Sequence, residues 1–138
     1  MSPVFLELGH VVEIHRDQAT RYGGALGIRD QGLLESALAM PQAGMGDEYF
    51  HRDLYEMAAA YLFHIVKNHP FVDGNKRVGT MATFIFLRMN GIDVTAPEPA
   101  LERLVVSVAS DGADKPSIAR FLRQHGRGTR RTRRRPSR

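Results

Sequence analysis

The sequence predicts a compact all-α domain of about six helices, with one very short β-pair and a disordered C-terminal tail. Apolar residues recur three and four positions apart through most of residues 8–124, which is the period of a helix. Glycine, proline and aspartate separate these stretches, at places where helices begin and end. The 138 residues, 43% of them hydrophobic, suffice for one core but not for two ordinary domains.

The first two helices are predicted from their apolar stripes and from the residues that interrupt them. A helix covers residues 8–21 and ends at Gly23-Gly24. Asp30 caps a second, shorter helix, which Pro41 stops. Residues 41–52 contain two glycines and a proline, so they are predicted to form a loop or a small flap.

The next two helices have the longest apolar periodicity in the chain. Asp53 caps a helix that ends at His69, because a proline at the next position disfavours helical backbone there. The following helix begins near Gly74 or Asn75 and ends at Asn90-Gly91. Since it is apolar on nearly every side, it is predicted to be the buried central helix.

The remaining elements of the body are short. Residues 92–95 are predicted to form a strand, paired with the start of the chain. Two amphipathic helices follow, over residues 98–109 and 116–124. The domain is therefore predicted to span residues 1–125.

Residues 126–138 differ from the body in charge. They contain seven arginines and no acid, whereas residues 1–125 carry 12 basic and 15 acidic side chains. A segment with almost nothing apolar to bury is predicted to be a disordered tail. It is either a solvated extension or a contact for nucleic acid or an acidic partner.

Composition narrows the environment of the protein. The chain has no cysteine, which excludes disulfides and thiolate metal sites and fits a reducing cytoplasm. The N-terminus lacks a basic region followed by an apolar run, so a secretory signal peptide is not predicted. No stretch approaches the roughly 20 apolar residues of a membrane helix. We therefore expect a cytoplasmic protein without membrane contact.

The loop between the two longest helices, HPFVDGNKR, combines groups that suit phosphate chemistry. Gly74 permits close backbone approach, and the first N–H groups of the following helix have no intrahelical acceptor. Lys76 and Arg77 add two cations at a helix start, where the dipole disfavours positive charge. These features predict an anion site, with phosphate as the anion.

Three other side chains of this loop have both a structural and a functional interpretation. His69 either faces the dipole of a helix C-terminus or acts as a general base. Asp73 is either an N-cap or an oxygen ligand for Mg²⁺. Asn75 is either a cap or a group that orients phosphate or His69. Phe71 is predicted to anchor the loop in the core.

The loop resembles the signature of the Fic/Doc family, His-Pro-Phe-x-(Asp/Glu)-Gly-Asn-x-Arg. Seven specified residues match, and Val72 and Lys76 fill the variable positions. The Asn-Lys-Arg ending is similar to the Doc (death-on-curing) branch, as are GIRDQGLLESALAMPQA and LRMNGIDVTAP elsewhere in the chain. The resemblance spans about residues 4–125 and implies a Fic-like helical bundle.

The resemblance also implies an activity and its residues. His69 would deprotonate a hydroxyl of the target, and Asp73 would hold Mg²⁺. Gly74, Asn75, Lys76 and Arg77 would bind the phosphates of ATP, with Asn75 and Arg77 taking part in catalysis. Doc-type proteins are understood to transfer the γ-phosphate to elongation factor Tu, which arrests growth.

Two departures from other Fic proteins bear on this reading. Thr80 stands where many AMP-transferring members carry a second arginine, and Lys76 stands where many carry glycine. Both favour phosphate transfer over AMP transfer, with Lys76 favouring a reversed nucleotide pose. The chain also lacks the Ser/Thr-x-x-x-Glu-Gly/Asn string of self-inhibited members. We therefore expect an antitoxin protein that inhibits in trans and covers the groove near His69.

Two alternatives remain open at this stage. The same groups can support AMP transfer to a protein hydroxyl. The domain can also be an inactive Fic-like module that binds partners, or nucleic acid through its arginine tail.

Overall fold

A computed structural model of the chain describes residues 2–129. Six α-helices make up most of this part of the chain, which confirms the predicted all-α class. The helices are α1 (Leu8–Tyr22), α2 (Gln31–Ala39), α3 (Leu54–Asn68), α4 (Asn75–Met89), α5 (Glu98–Ala109) and α6 (Lys115–His125). The strands are β1 (Gly44–Met45), β2 (Glu48–Tyr49), β3 (Ile92–Val94) and β4 (Gly126–Gly128).

Aspartates begin three of these helices, and two of them lie where the sequence predicts caps. The Asp30 carboxylate accepts from the Leu33 N–H at 2.9 Å, and the Asp53 carboxylate accepts from the Glu56 N–H at 2.8 Å. Asp114 caps α6 in the same way through Ser117. Each carboxylate satisfies a first-turn donor that has no partner within its helix.

The centre of the domain is α3, and the prediction that α4 is the central helix is wrong. From Met57 to Leu62 every α3 residue is buried, and α3 packs against α2, α4 and α6. On α4, Met81, Phe84 and Ile85 are half-buried. One apolar side of α4 packs in the core, and another lines an open groove. These two surroundings together explain why α4 is apolar on nearly every side.

Two antiparallel strand pairs complete the described fold. The segment predicted as a loop or flap holds the first, a hairpin that pairs β1 with β2. β3 lies within the strand predicted over 92–95, but the prediction that it pairs with the chain start is wrong. It pairs with β4, with Asp93 opposite Arg127. The predicted tail therefore begins with a strand, and its residues 130–138 lie outside the described residues.

Within residues 2–129, no helix combines the length and apolarity required to cross a bilayer. The helices instead bury a core of mainly aliphatic side chains around α3, with Tyr61, Phe71 and Phe86 as its largest members. Tyr61 also fixes the chain start, because its hydroxyl accepts from the Leu6 N–H at 2.9 Å.

Candidate active site

The loop between α3 and α4 begins with His69 in a left-handed backbone conformation. Its φ and ψ are 52° and 55°, which few residues other than glycine adopt. Pro70 disfavours the helical alternative, so α3 ends at Asn68 with His69 as its C-cap, one residue before the predicted end. The His69 residue is exposed, and its imidazole has no hydrogen-bond partner within the described part of the chain. Because it is exposed and unbonded, this imidazole is available to a substrate.

The start of α4 has the properties of an anion site. Gly74 is its N-cap with φ 80°, and no side chain caps the helix. Among the described residues, the backbone N–H groups of Asn75, Lys76 and Arg77 have no acceptor. These free donors and the positive end of the helix dipole favour a bound anion.

Asp73 precedes this anion site but is not the N-cap of α4. One carboxylate oxygen accepts from the Gly74 N–H at 2.8 Å, and the other accepts from the Ala25 N–H at 3.3 Å. The capping interpretation of Asp73 is therefore wrong in this structure. The carboxylate instead lies between the loop and the Gly23–Ala25 turn, exposed and beside the free N–H groups of α4.

The Asn75 side chain holds the loop together. It is buried, and its amide oxygen accepts from the Phe71 N–H at 2.9 Å. Its amide nitrogen donates to the Phe71 carbonyl at 3.0 Å. The side chain thus has a positioning role, whereas the role of the Asn75 backbone N–H in phosphate binding stays a prediction.

Phe71 anchors the loop in the core, as predicted. It is fully buried, and the His15 ring of α1 stacks on it with a centroid distance of 4.1 Å. The His15 Nε2 lies 3.0 Å from the Asp73 carbonyl oxygen. Since a carbonyl oxygen only accepts, Nε2 must carry the proton and donate it. His15 therefore fixes both ends of the Phe71–Asp73 segment.

Lys76 and Arg77 are both exposed at the start of α4. Neither forms an ion pair within residues 2–129. The Arg77 guanidinium lies 5.1 Å from the centroid of the Tyr22 ring, in a cation–π contact. Both cations line the same groove as Gly74 and Asn75 at the start of α4. Their role in binding phosphate stays a prediction.

These loop residues form one end of a groove of about 850 Å³ between α4 and α5. Gln18 and Tyr22 of α1 also line this end. Farther along, the lining is largely apolar, with two acids on α5: Met81, Phe84, Leu101, Val105, Val106, Glu98 and Glu102. Thr80 lies in the groove too, and its hydroxyl donates to the Lys76 carbonyl at 2.8 Å.

Mg²⁺ fits the donors present at this site. No group of three or more His, Cys, Asp and Glu residues in the described chain is arranged to hold a metal. A protein site built around a single carboxylate suits Mg²⁺, which keeps several waters and takes further oxygens from substrate phosphates. Asp73 would supply that carboxylate, in the same groove as the first residues of α4.

Sequence reasoning missed the residues outside the loop that position it. His15 and Gln18 are buried on α1 at four- and seven-residue spacing from buried Val11. Polar residues on the apolar face of a helix indicate contacts with other segments, because buried polar groups need hydrogen-bond partners. This signal was available in the sequence. Arg29 gave no such signal.

A second polar cluster lies outside the groove lining. Lys115 Nζ at the start of α6 donates to His64 Nε2 at 3.0 Å and to His51 Nε2 at 3.3 Å. Burial, followed by the Lys115 charge and His51, lowers the pKa of His64 to about 4. Burial and the same charge also lower the pKa of His51. Both imidazoles are therefore neutral at pH 7.

Comparisons with known proteins agree with the signature in the loop. A model of the Fic/DOC family matches residues 5–87, which include the whole motif. The chain is 40% identical over 103 residues to "Toxin Doc" of Mycolicibacterium smegmatis, covering 73% of this chain and 79% of that protein. It is 34% identical over 114 residues to "Protein kinase doc" of Escherichia phage P1, covering 83% and 89%.

Proposed function

The chain belongs to the Fic/DOC family, and from this premise we propose that it is a toxin that phosphorylates a protein. The proposed reaction transfers the γ-phosphate of ATP to a Ser or Thr hydroxyl of a translation factor similar to elongation factor Tu. Growth would then stop because translation stops. The proposed setting is the cytoplasm, where ATP and translation factors are present.

The observation that carries this proposal is the position of His69. Its free imidazole lines the same groove as the N–H groups and cations that begin α4. A base and a phosphate site at one groove end suit attack by a hydroxyl on a bound nucleotide. In this reaction His69 accepts the hydroxyl proton while the oxygen bonds to the γ-phosphorus. The bond from that phosphorus to ADP breaks, and ADP leaves.

The residues of α4 hold the nucleotide. The N–H groups of Asn75, Lys76 and Arg77 bind phosphate oxygens, and the two cationic side chains balance their charge. Mg²⁺ held by Asp73 would supply further charge neutralisation at these phosphates. Asp73 is kept in place for this role by Ala25 and by its own backbone contact with His15.

Transfer of phosphate is favoured over transfer of AMP by two observations. The phage relative carries the name of a protein kinase. Position 80 in the groove holds a threonine whose hydroxyl bonds to the Lys76 carbonyl, so no second arginine is available there. AMP transfer by the same groups is the second candidate.

Labelled ATP separates the two reactions. The protein is incubated with a bacterial translation extract and ATP labelled at either the α- or the γ-phosphate. We expect protein label from the γ position only. His69→Ala should reduce it by ~10²–10⁴, the usual contribution of a general base. Label from the α position only would contradict the kinase proposal and establish AMP transfer.

An antitoxin is the proposed partner. The groove is open and mainly apolar beyond the loop, so a segment of a second protein can lie along it and block His69. A 1:1 mixture with such an antitoxin should stop phosphate transfer. Val106→Asp, which places a charge on a half-exposed groove residue, should restore transfer by weakening that complex.

An inactive module that acts through its arginine tail requires a different test. Because Gly126–Gly128 form β4, the informative deletion removes residues 130–138 and leaves the strand intact. Growth arrest that survives His69→Ala but is lost on this deletion would contradict the enzyme proposal and support tail-mediated binding. We expect the reverse result.

A further inference from the structure

We propose that Arg29 is a positioning residue that sets the direction of the His69 imidazole. Its guanidinium Nε donates to the His69 carbonyl at 2.7 Å, and its Nη2 donates to the Asn68 carbonyl at 3.0 Å. The consequence for catalysis rests on the proposed function, since His69 is there the general base.

The backbone conformation of His69 requires outside support. A left-handed conformation is unfavourable for a residue with a Cβ, because the Cβ crowds the following carbonyl oxygen. Such conformations persist where surrounding contacts over-determine them. Pro70 disfavours the helical alternative, but it leaves the extended region open to His69. The His69 N–H donates to the Ile65 carbonyl at 3.2 Å, and contacts to the His69 carbonyl add further support for the left-handed state.

Arg29 supplies a contact specific to that state. At the end of a helix the last four carbonyl groups lack intrahelical donors. The planar guanidinium reaches two successive carbonyls, those of Asn68 and His69, with two N–H groups in a fixed fork. If His69 became extended, the two carbonyls would no longer point toward one plane, and the fork could hold only one of them. The positive charge also suits the negative end of the α3 dipole.

The backbone around Arg29 holds the next loop residues but not His69 itself. The N–H groups of Arg29 and Asp30 both donate to the Pro70 carbonyl, at 2.7 and 3.0 Å. The Val72 N–H donates to the Gly27 carbonyl at 3.1 Å. A substitution at position 29 leaves these bonds in place. It therefore isolates the effect of the side chain on the Asn68 and His69 carbonyls.

Loss of the side chain should affect the rate more than nucleotide binding. The phosphate site is built from Gly74 to Arg77, beyond the loop that Asn75 holds together. A rotation at His69 would move the imidazole without moving those groups. Since small errors in position can cost about a hundredfold in rate, kcat should fall while the KM for ATP stays constant.

The test compares Arg29→Ala and Arg29→Lys in γ-label transfer from ATP to proteins of the translation extract. We expect kcat to fall about tenfold to hundredfold in Arg29→Ala, with KM for ATP within twofold of wild type. Arg29→Lys keeps the charge but loses the fork. Its kcat should therefore lie between those of wild type and Arg29→Ala. Added methylguanidinium should partly restore the rate of Arg29→Ala, because the vacated site is exposed.

Two controls separate positioning from charge and from stability. Arg16→Ala removes an exposed arginine of α1 that pairs with Glu13, outside the groove. Asp114→Ala removes the cap of α6 and reports what lost stability alone does. A wild-type kcat in Arg29→Ala would overturn the proposal. The proposal would also be overturned if Asp114→Ala, at the same thermal stability as Arg29→Ala, lost as much kcat.

A second measurement does not depend on the reaction. Long-range ¹H–¹⁵N spectra report each imidazole, and His69→Gln identifies the His69 signals by their absence. Shifted His69 signals in Arg29→Ala, with the other imidazoles unchanged, would support the proposal even if wild type transferred no phosphate. Unchanged His69 signals would overturn it, whatever the outcome for the proposed function.

Discussion

At the scale of single residues, the Asp73 carboxylate occupies space that a side chain at position 24 would take. A Cβ added to Gly24 would lie 2.8 Å from Asp73 Oδ2, closer than van der Waals contact allows. Gly24 also has φ +112°, which residues with a Cβ rarely adopt. The glycine turn after α1 is therefore part of what places the predicted Mg²⁺ ligand.

Gly24→Ala should impair the site and the fold by separate routes. We expect the free energy of unfolding to fall by about 1–3 kcal/mol because of the positive φ. The displaced carboxylate should also raise the Mg²⁺ concentration needed for half-maximal phosphate transfer. Urea unfolding measures the first effect, and a Mg²⁺ titration of γ-label transfer measures the second.

Gly9→Ala is the matched control for this substitution. Gly9 lies in the first turn of α1, and a Cβ there would meet nothing within 4 Å. It should leave the Mg²⁺ requirement unchanged and should not lower stability, since alanine has the higher helix propensity. An unchanged Mg²⁺ requirement in Gly24→Ala would show that Asp73 is not held by this turn.

The sequence allowed the loop residues to be predicted but not the residues that hold them. His69, Asp73 and Arg77 stand together in one short segment, so their spacing is visible along the chain. His15 reaches Asp73 across 58 positions, and Arg29 reaches His69 across 40. Contacts of that range depend on how helices pack, which local patterns do not specify.

At the scale of elements, α3 and α4 approach closely where α4 carries a glycine. A Cβ added at Gly79 would lie 3.1 Å from Val66 Cγ2, 3.4 Å from Leu62 Cδ1 and 3.5 Å from Ile65 Cγ2. All three neighbours are buried. This contact sets the distance between the two helices that flank the loop from His69 to Gly74.

Gly79→Ala should lower the free energy of unfolding by about 1 kcal/mol. Crowding in a packed core costs ~1–3 kcal/mol, and the better helix propensity of alanine returns up to ~1 kcal/mol. Urea unfolding at pH 7.5 measures the difference. The prediction fails if Gly79→Ala is as stable as wild type.

A double-mutant cycle identifies the cause. In the Val66→Ala background the nearest methyl group is gone, so Gly79→Ala should become neutral or stabilising. If Gly79→Ala lowers the free energy of unfolding equally in wild type and in Val66→Ala, crowding against Val66 is not the cause.

The helices were predictable because each carries its own signals. The strand over residues 92–95 was predictable too, but its partner was not. Asp30 and Asp53 mark helix starts, and Pro70 marks the end of α3. β4 has the sequence Gly-Arg-Gly, with no apolar alternation, and reads as the beginning of a charged tail. Its partner β3 supplies the pairing from more than 30 positions away.

At the scale of the whole molecule, the Lys115–His64–His51 cluster links stability to pH. It joins α6 to α3 and to the segment after the hairpin. Both histidines have a lower pKa in the folded chain than the 6.5 of an unperturbed imidazole. The unfolded chain therefore takes up protons first as the pH falls, and acid favours unfolding.

Stability should be fully present above about pH 6.5 and decline toward pH 4. The pKa of about 4 for His64 sets the lower end of this window. Allowing for solvent screening at a half-buried site, we expect a loss of about 1–2 kcal/mol from His64. Urea unfolding between pH 7.5 and pH 4.5 measures it.

His64→Gln should flatten this dependence, because glutamine does not titrate. His69→Gln removes an exposed imidazole and should leave the slope as in wild type. Equal slopes in wild type and His64→Gln would show that the cluster is not the source of the acid sensitivity.

Both described ends of the chain meet at the end of α4 that is farthest from the His69–Gly74 loop. The Val4 N–H donates to the Asn90 side chain at 2.8 Å, and the Thr129 N–H donates to the Gly91 carbonyl at 2.8 Å. The 15 residues of α4 place this end about 22 Å from Asn75. A fluorescent fusion or a surface tether could thus be joined before Val4 or after Thr129, leaving the groove mouth open to the proposed ATP and antitoxin.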